Sequence, residues 1–178
     1  DMLPIDESMT IEQYFRYWLF EYKINEVKSS TITRYEGIYR NYIKGSQIAK
    51  VKLKDLRTQQ LQTYYNRLIE DNNITSSTIL TINKVLKSCF AQAIKEGYLL
   101  KNYCTLVSLP KKSKKEDIVY LTIEEQKRFI QACNGHRLEC LFLFALGTGL
   151  RLGELLALTW NDIDFDDKTV SVNKSIRQ

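Results

Sequence analysis

The strongest constraint on this chain is a set of four amphipathic stretches between residues 10 and 97. In "TIEQYFRYWLFEYKI" the apolar residues fall at positions 11, 14, 15, 18, 19 and 22, which is the spacing of one face of an α-helix. The stretches "KSSTITRYEGIYRNYIKG", "TQQLQTYYNRLIEDNN" and "SSTILTINKVLKSCFAQAIKEG" repeat this period. The sequence therefore predicts a mainly α protein that begins with a four-helix bundle.

Residues typical of helix ends flank these stretches, and tyrosines fill their apolar faces. Thr10 and Gln13 have the spacing of a capping box, and Gly97 follows the fourth stretch where a helix C-cap is expected. Most tyrosines of the bundle fall in line with the apolar residues. We therefore interpret them as core residues rather than as platforms for stacking nucleic-acid bases.

The net charge of +5 is distributed unevenly along the chain. Residues 1–27 carry 2 basic and 6 acidic side chains, whereas residues 28–101 carry 13 basic and 5 acidic side chains, a net charge of +8. Residues 102–120 add +2, and residues 121–178 come to −1. Such a positive block indicates a polyanionic partner, most simply double-stranded DNA, through phosphate neutralisation. The alternative is that scattered lysines only keep the helices soluble.

The second and fourth stretches each have a line of residues without carboxylates on the side opposite the apolar residues, at about 100° per residue. These two acid-free faces consist of Ser30, Arg34, Gly37 and Asn41 on the second stretch and of Ser77, Thr81, Lys84, Ser88, Ala91 and Lys95 on the fourth. A solvated helix face usually mixes both signs of charge. Small hydroxyls, amides and cations instead suit a close approach to phosphates and base edges.

A lysine-rich segment, "PKKSKKED" at 110–117, has no apolar period and predicts an exposed linker. We therefore predict a DNA-binding domain at 8–107, a basic linker at 108–120 and a second domain at 121–178. The predicted DNA contacts are Lys28, Ser29, Ser30, Thr31, Arg34, Asn41, Ser76, Ser77, Thr81, Lys84, Lys87, Ser88, Lys95, Lys111, Lys112, Lys114 and Lys115.

The second domain begins with another capping box, Thr122 with Glu125. The apolar run "CLFLFALG" (140–147) predicts a helix buried in a core, ended by Gly147 and Gly149. The stretch "WNDIDFDDKTVSVNKSI" alternates around an Asp-Asp-Lys turn and predicts a β-hairpin.

Cysteine and histidine usage argues against a metal site. The cysteines are Cys89, Cys104, Cys133 and Cys140. They form no C-x-x-C pair, and His136 is the single histidine, so we expect free core thiols in a reducing cytoplasm and no bound metal. No apolar run reaches the length of a membrane span, so we expect no membrane association.

Arg151 follows the glycine turn directly and begins an amphipathic stretch, 151–158. A cation at a helix start is unfavourable because the dipole is positive there, so we expect a compensating group. One interpretation is a surface ion pair with Glu154, three residues on. The other is an anionic ligand such as phosphate.

The order of basic bundle, lysine linker and "TGLRLGELLALTWNDIDFDDKTVSV" resembles the tyrosine recombinase (phage-type integrase) family, in particular the integrases of phages and conjugative transposons. The resemblance implies an N-terminal SAM-like core-binding domain, then the first helices and hairpin of an α+β catalytic domain. It implies that Arg151 is the first of two catalytic arginines and grips the scissile phosphate, with Glu154 in support. It further implies DNA contact through the second and fourth helices, no cofactor, and a full-length parent that assembles as a tetramer on paired sites.

The family also requires a lysine on a later β-turn, a His-x-x-Arg pair and a tyrosine nucleophile. All 11 tyrosines lie at or before Tyr120, and Lys174 lies too early for the family lysine, so we interpret it as a hairpin residue. We therefore expect a fragment that binds DNA but is inactive by itself. Two hypotheses remain open. The parent is either a recombinase that cleaves and rejoins DNA through a covalent phosphotyrosine, or a DNA-binding regulator or competing truncated integrase without catalysis.

Overall fold

The computed structural model describes residues 6–72, 74–111 and 119–176. The chain divides into two compact units, residues 1–115 and residues 116–178. The described residues are mainly helical with one two-stranded antiparallel sheet, which confirms the predicted fold class. Three predicted DNA contacts, Lys112, Lys114 and Lys115, lie outside the described residues. Among the helices of the described ranges, none has the length and apolarity needed to cross a membrane.

All four predicted helices of the first unit are present. Helix α1 comprises α-helical Ile11–Tyr17, π-helical Trp18–Lys23 and α-helical Ile24–Glu26, and helix α2 comprises α-helical Ser29–Ile38 and π-helical Tyr39–Ile43. Helix α3 is Thr58–Asn72, and helix α4 is Ser76–Lys95. Short 3-10 turns occur at Ile48–Lys50, Leu53–Asp55 and Tyr103–Thr105.

The core of this unit is aromatic, as predicted. Its largest fully buried side chains include Trp18, Tyr14, Tyr65, Phe15 and Phe90. Two tyrosine hydroxyls connect helices across the core. The Tyr65 hydroxyl donates to Asn83 Oδ1 at 2.9 Å, which joins α3 to α4. The Tyr64 hydroxyl donates to the Tyr42 carbonyl at 2.8 Å, which joins α3 to α2. These tyrosines are therefore structural.

The π-helical segments of α1 and α2 were not predicted, and they coincide with stacked aromatic pairs. The Trp18 ring stacks on Tyr35 with centroids 5.7 Å apart, and Phe15 stacks on Tyr39 at 5.9 Å. A π-turn, with its i→i+5 hydrogen bonds, contains more residues per turn than an α-turn, so each residue is rotated by less than about 100° from the one before. Asn41 lies in the π-helical part of α2, so it is rotated away from the line that α-helical winding predicts for the acid-free face.

Both predicted capping boxes are present. The Gln13 amide donates to Thr10 Oγ1 at 3.3 Å, while the Thr10 amide donates to Gln13 Oε1 at 2.9 Å. Thr122 and Glu125 exchange the equivalent pair of hydrogen bonds. Gly97 follows α4 with a φ of +83°, a left-handed conformation that favours glycine, and so ends the helix as predicted.

The second unit contains three helices and a short hairpin within residues 119–176. Helix α5 is Ile123–Cys133, helix α6 is Glu139–Thr148, helix α7 is Leu152–Leu155, and a 3-10 turn spans Trp160–Asp162. Strand β1 (Ile163–Asp164) pairs antiparallel with β2 (Thr169–Val170), with Ile163 opposite Val170. The predicted hairpin is therefore present with two-residue strands.

The expectation that 140–147 forms a buried helix was wrong. The helix exists, but its side chains from Cys140 to Leu146 are half-buried or exposed. An apolar run indicates which side chains a helix could bury, but it does not show whether other elements cover them. In the described residues, α6 packs mainly against α5 and α7, which leave its apolar side chains partly exposed. Cys140 is accordingly exposed rather than a core thiol, whereas the other three cysteines are buried. The helix continues through Gly147 and ends at Gly149, whose φ is +68°.

Candidate functional site

Arg151 occupies the N-cap of α7, directly after the left-handed turn at Gly149. Its backbone amide donates to Glu154 Oε2 at 2.9 Å, and its Nη1 donates to Glu154 Oε1 at 3.0 Å. The ion pair with Glu154, one of the two arrangements that the sequence predicted for Arg151, is therefore present. One carboxylate fixes both the backbone and the guanidinium of Arg151.

This ion pair leaves most of the guanidinium accessible. The Arg151 side chain is 86% exposed, whereas that of Glu154 is 22% exposed. Hydrogen bonds from the Arg151 amide and guanidinium lower the pKa of Glu154, so its carboxylate is charged at neutral pH. Only Nη1 contacts Glu154, so the guanidinium retains N–H groups that can bind two oxygens of one anion. The ion pair and phosphate binding are therefore compatible.

A second charged cluster lies after α7. Lys174 Nζ is 2.7 Å from Asp162 Oδ2, which also accepts hydrogen bonds of 2.7 Å from the amide and the hydroxyl of Thr159. These hydrogen bonds, foremost the one from Lys174, lower the pKa of Asp162 to about 2. Sequence analysis missed this cluster, although the Thr-x-x-Asp spacing of a capping box was visible at 159–162.

The predicted DNA contacts within the described residues lie at the surface. Those that are exposed are Lys28, Ser29, Ser30, Arg34, Asn41, Ser77, Lys84, Lys87, Lys95 and Lys111, and those that are half-buried are Thr31, Ser76, Thr81 and Ser88. In the ranges that the structure describes, none of the cations in this set forms an ion pair, whereas Lys54 pairs with Glu7 and Lys23 with Glu26. The acid-free faces therefore present uncompensated positive charge.

The starts of α2 and α4 also have few side chains that would compete with an anionic ligand for the first amides of the helix. Neither helix has an acidic residue in its first turn, and Lys28 provides α2 with no side-chain cap. The first amides of a helix have no partner within the helix, so those of Ser29 and Ser30 are oriented to bind an anion. One hydroxyl is less available, because Thr81 Oγ1 donates to the Ser77 carbonyl at 2.9 Å.

The structure brings Arg151 and Glu154 into direct contact. In contrast, within the described ranges the side chains of the two acid-free faces form no hydrogen bond or ion pair with each other. Contact between these faces and DNA therefore stays a prediction.

The structure also shows a contact that the sequence did not indicate. Asn102 Nδ2 donates to the Lys87 carbonyl at 2.9 Å and holds the chain after α4 against that helix.

Two family models match this chain. The phage integrase family matches residues 119–178, and the N-terminal SAM-like domain of phage integrases matches residues 10–69. The chain belongs to the phage integrase (tyrosine recombinase) family. Arg151 lies in the first of these matched regions, and most of α1 to α3 lies in the second.

Curated relatives of this integrase-family chain are longer than it is. The tyrosine recombinase XerC-like protein of Caldanaerobacter subterraneus subsp. tengcongensis is 41% identical over 177 residues, which cover 97% of this chain and 45% of the relative. The ICEBs1 integrase of Bacillus subtilis is 30% identical over 138 residues, which cover 76% of this chain and 35% of the relative. The chain thus spans less than half the length of these relatives.

Solved integrase structures share the fold. The Tn1549 transposon integrase in complex with circular intermediate DNA superposes with a TM-score of 0.79 at 23% identity, covering 94% of this chain and 55% of that one. A lambda integrase dimer bound to a COC′ core site gives a TM-score of 0.70 at 23% identity, covering 89% of this chain and 44% of that one. At these identities the similarity shows a common fold.

Proposed function

We propose that this chain is part of a site-specific DNA recombinase of a phage or conjugative element, acting in the bacterial cytoplasm. Residues 8–107 form its core-binding domain, 108–120 its basic linker, and 121–178 the start of its catalytic domain. The full-length parent cleaves and rejoins duplex DNA through a covalent phosphotyrosine, assembled as a tetramer on paired sites. Family membership and the bacterial and phage sources of the relatives support this assignment.

The geometry of Arg151 is the observation that carries the proposal. Its guanidinium is 86% exposed, and it is anchored on one side by Glu154. A guanidinium fork matches two phosphate oxygens, and charge that is already in place needs no rearrangement as negative charge develops on the attacked phosphate. Arg151 thus binds the scissile phosphate, and Glu154 orients it without contacting the DNA.

The acid-free faces supply affinity rather than chemistry. Their cations have no carboxylate partner in the described residues. The first amides of α2 have no side-chain cap, whereas at the start of α4 the Thr75 hydroxyl accepts a hydrogen bond from the Thr78 amide. Many separate phosphate contacts of this kind add together, so the loss of one weakens binding only modestly. The DNA in the Tn1549 and lambda integrase structures, which share this fold, supports duplex DNA as the ligand.

The proposal is tested by Arg151→Ala in the full-length parent. With a nicked suicide substrate, the parent forms a covalent protein–DNA adduct, and the variant forms it about a hundredfold to a thousandfold more slowly. DNA affinity, measured by fluorescence anisotropy, changes little because binding is spread over many contacts. The 178-residue chain by itself forms no adduct, because no tyrosine follows Arg151.

Two further variants sharpen this test. Arg151→Lys does not restore the rate, because an ammonium cannot reproduce the two-oxygen contact of a guanidinium. Circular dichroism first verifies that all variants are folded. The control Arg128→Ala, which removes an exposed arginine on α5, then leaves the rate of adduct formation unchanged. Adduct formation by a folded Arg151→Ala parent at near the wild-type rate contradicts the assignment of Arg151. A wild-type parent that binds DNA but forms no adduct favours the non-catalytic regulator.

A further inference from the structure

Gly153 lies on α7 between Arg151 and Glu154, and a later segment of the chain, residues 174–176, passes directly against it. The Ile176 amide donates to the Gly153 carbonyl at 2.8 Å. A Cβ atom added at Gly153 would lie 2.5 Å from the Ile176 carbonyl oxygen and 2.7 Å from Ser175 Oγ. Real Cβ contacts below 3.0 Å are essentially never observed, so the backbones approach this closely only because residue 153 is glycine.

The other end of the segment is fastened to the turn that follows α7. The Lys174 ammonium lies 2.7 Å from Asp162 Oδ2 and 3.3 Å from the Thr159 hydroxyl. The Asp162 side chain is only 9% exposed, and its backbone carbonyl accepts a hydrogen bond of 2.8 Å from the Ser171 amide. The segment 171–176 is therefore attached both to α7 and to the residues after it.

This attachment matters because α7 has only four residues. A helix of one turn is not stable alone, since ordering its backbone costs more than its first hydrogen bonds return. Its orientation must therefore come from contacts with other elements. The segment 174–176 meets α7 at Gly153, two residues from Arg151 and one residue from Glu154.

We propose that Gly153 is a positioning residue, which admits the segment 174–176 against α7 and thereby holds Arg151 and Glu154 in their hydrogen-bonded arrangement. That this arrangement serves phosphate binding rests on the proposed function. The contact between the segment 174–176 and α7 does not depend on that function.

Amide hydrogen exchange in the 178-residue chain, followed by NMR, tests the docking without DNA. Gly153→Ala is compared with Gly147→Ala, which replaces a helical glycine where an added Cβ has nothing within 4 Å. Both variants gain the same helix propensity. In Gly153→Ala the Ile176 amide exchanges about tenfold faster because its hydrogen bond is broken, and the Arg151 amide also exchanges faster. In Gly147→Ala both rates stay at the wild-type value.

A second pair of variants leaves α7 untouched, so it remains informative if Gly153→Ala unfolds the unit. Ile176→Pro removes the amide that donates to Gly153, and it accelerates exchange at Arg151. Ile176→Ala keeps that amide and leaves Arg151 protected. Wild-type exchange at Arg151 in both Gly153→Ala and Ile176→Pro overturns the positioning role.

The full-length parent separates this inference from the proposed function. There Gly153→Ala lowers the rate of adduct formation by about tenfold or more at unchanged DNA affinity, because the phosphate-binding group is misplaced. Altered exchange at Arg151 with an unchanged adduct rate shows that Gly153 holds Arg151 in place but overturns the claim that this arrangement is needed for the reaction. If the wild-type parent forms no adduct at all, the proposed function fails while the exchange experiments still decide the docking.

Discussion

At the scale of single residues, the two ion pairs of the second unit have different consequences. Arg151 is largely exposed, and an exposed ion pair of this kind contributes little to stability. Asp162 is nearly buried and accepts hydrogen bonds from Lys174 and from both the amide and the hydroxyl of Thr159. The Arg151–Glu154 pair therefore fixes the orientation of an exposed guanidinium, whereas the Lys174–Asp162 pair holds the chain together.

The lowered pKa of Asp162 predicts an acid-sensitive step in the second unit. Its carboxylate has a pKa of about 2 in the folded chain, against 3.8 for an unperturbed aspartate. The stabilisation is complete above the unfolded value and is lost as the pH falls from about 4 to about 2. We expect the Asp162 carboxyl ¹³C resonance to titrate near pH 2, and Asp162→Asn to remove the stability loss in this window. An Asp162 that titrates near pH 4 would contradict the cluster.

At the scale of secondary structure elements, the starts of α2 and α4 differ from those of α1 and α5, while α3 also begins without an acidic residue. Helix α5 has Glu124 and Glu125 in its first turn, and α1 has Glu12, which are favourable positions beside the positive end of a helix dipole. The first turns of α2 and α4 have no acidic residue. An acid there would stabilise the helix and repel phosphate, so its absence agrees with the proposed DNA contact of α2 and α4, although α3 begins without an acid as well.

This comparison predicts that Ser30→Asp has opposite effects on stability and on binding. Ser30 lies in the first turn of α2, so an aspartate there stabilises the helix by about 0.3–1 kcal/mol and raises the melting temperature slightly. The same charge repels phosphate and weakens DNA binding, measured by fluorescence anisotropy. The control Ser30→Ala removes the hydroxyl without adding charge and weakens binding less. A stabilised Ser30→Asp variant with wild-type DNA affinity would show that this helix start does not meet phosphate.

Elements that are specified by residues close together in sequence could be predicted. Features that depend on contacts between residues far apart in sequence could not. The period of apolar residues indicated α1 to α4, and the Thr10 and Thr122 capping boxes marked two helix starts. The π-helical turns of α1 and α2 coincide with aromatic rings that stack between these helices, and sequence spacing shows neither feature. The contact of Gly153 with Ile176 joins residues far apart in sequence, so this part of the site required the structure.

At the scale of the whole molecule, the two units differ in how well they bury their apolar residues. The first encloses a large aromatic core, whereas the second buries few hydrophobic side chains, Cys133 and Leu155 among its described residues. Its exposed apolar residues include Ile123, Trp160 and Phe165. The second unit therefore leaves a larger share of its apolar side chains in contact with solvent than the first unit does. The first unit is therefore the part whose DNA binding is best measured by itself.

The central claim is that this chain binds duplex DNA through the cations of its acid-free faces, and the salt dependence of binding tests it most directly. If about five phosphates are neutralised, the slope of log affinity against log salt concentration is about −4 to −5. Arg34→Ala and Lys84→Ala each weaken binding and reduce the magnitude of the slope by about one.

The matched control is Lys23→Ala, because the Lys23 ammonium is already paired with Glu26 and lies over the Trp18 ring. We expect the folded Lys23→Ala chain to bind DNA with wild-type affinity and slope. An affinity that stays flat between low and moderate salt would contradict the account, as would equal losses in Lys23→Ala and Lys84→Ala.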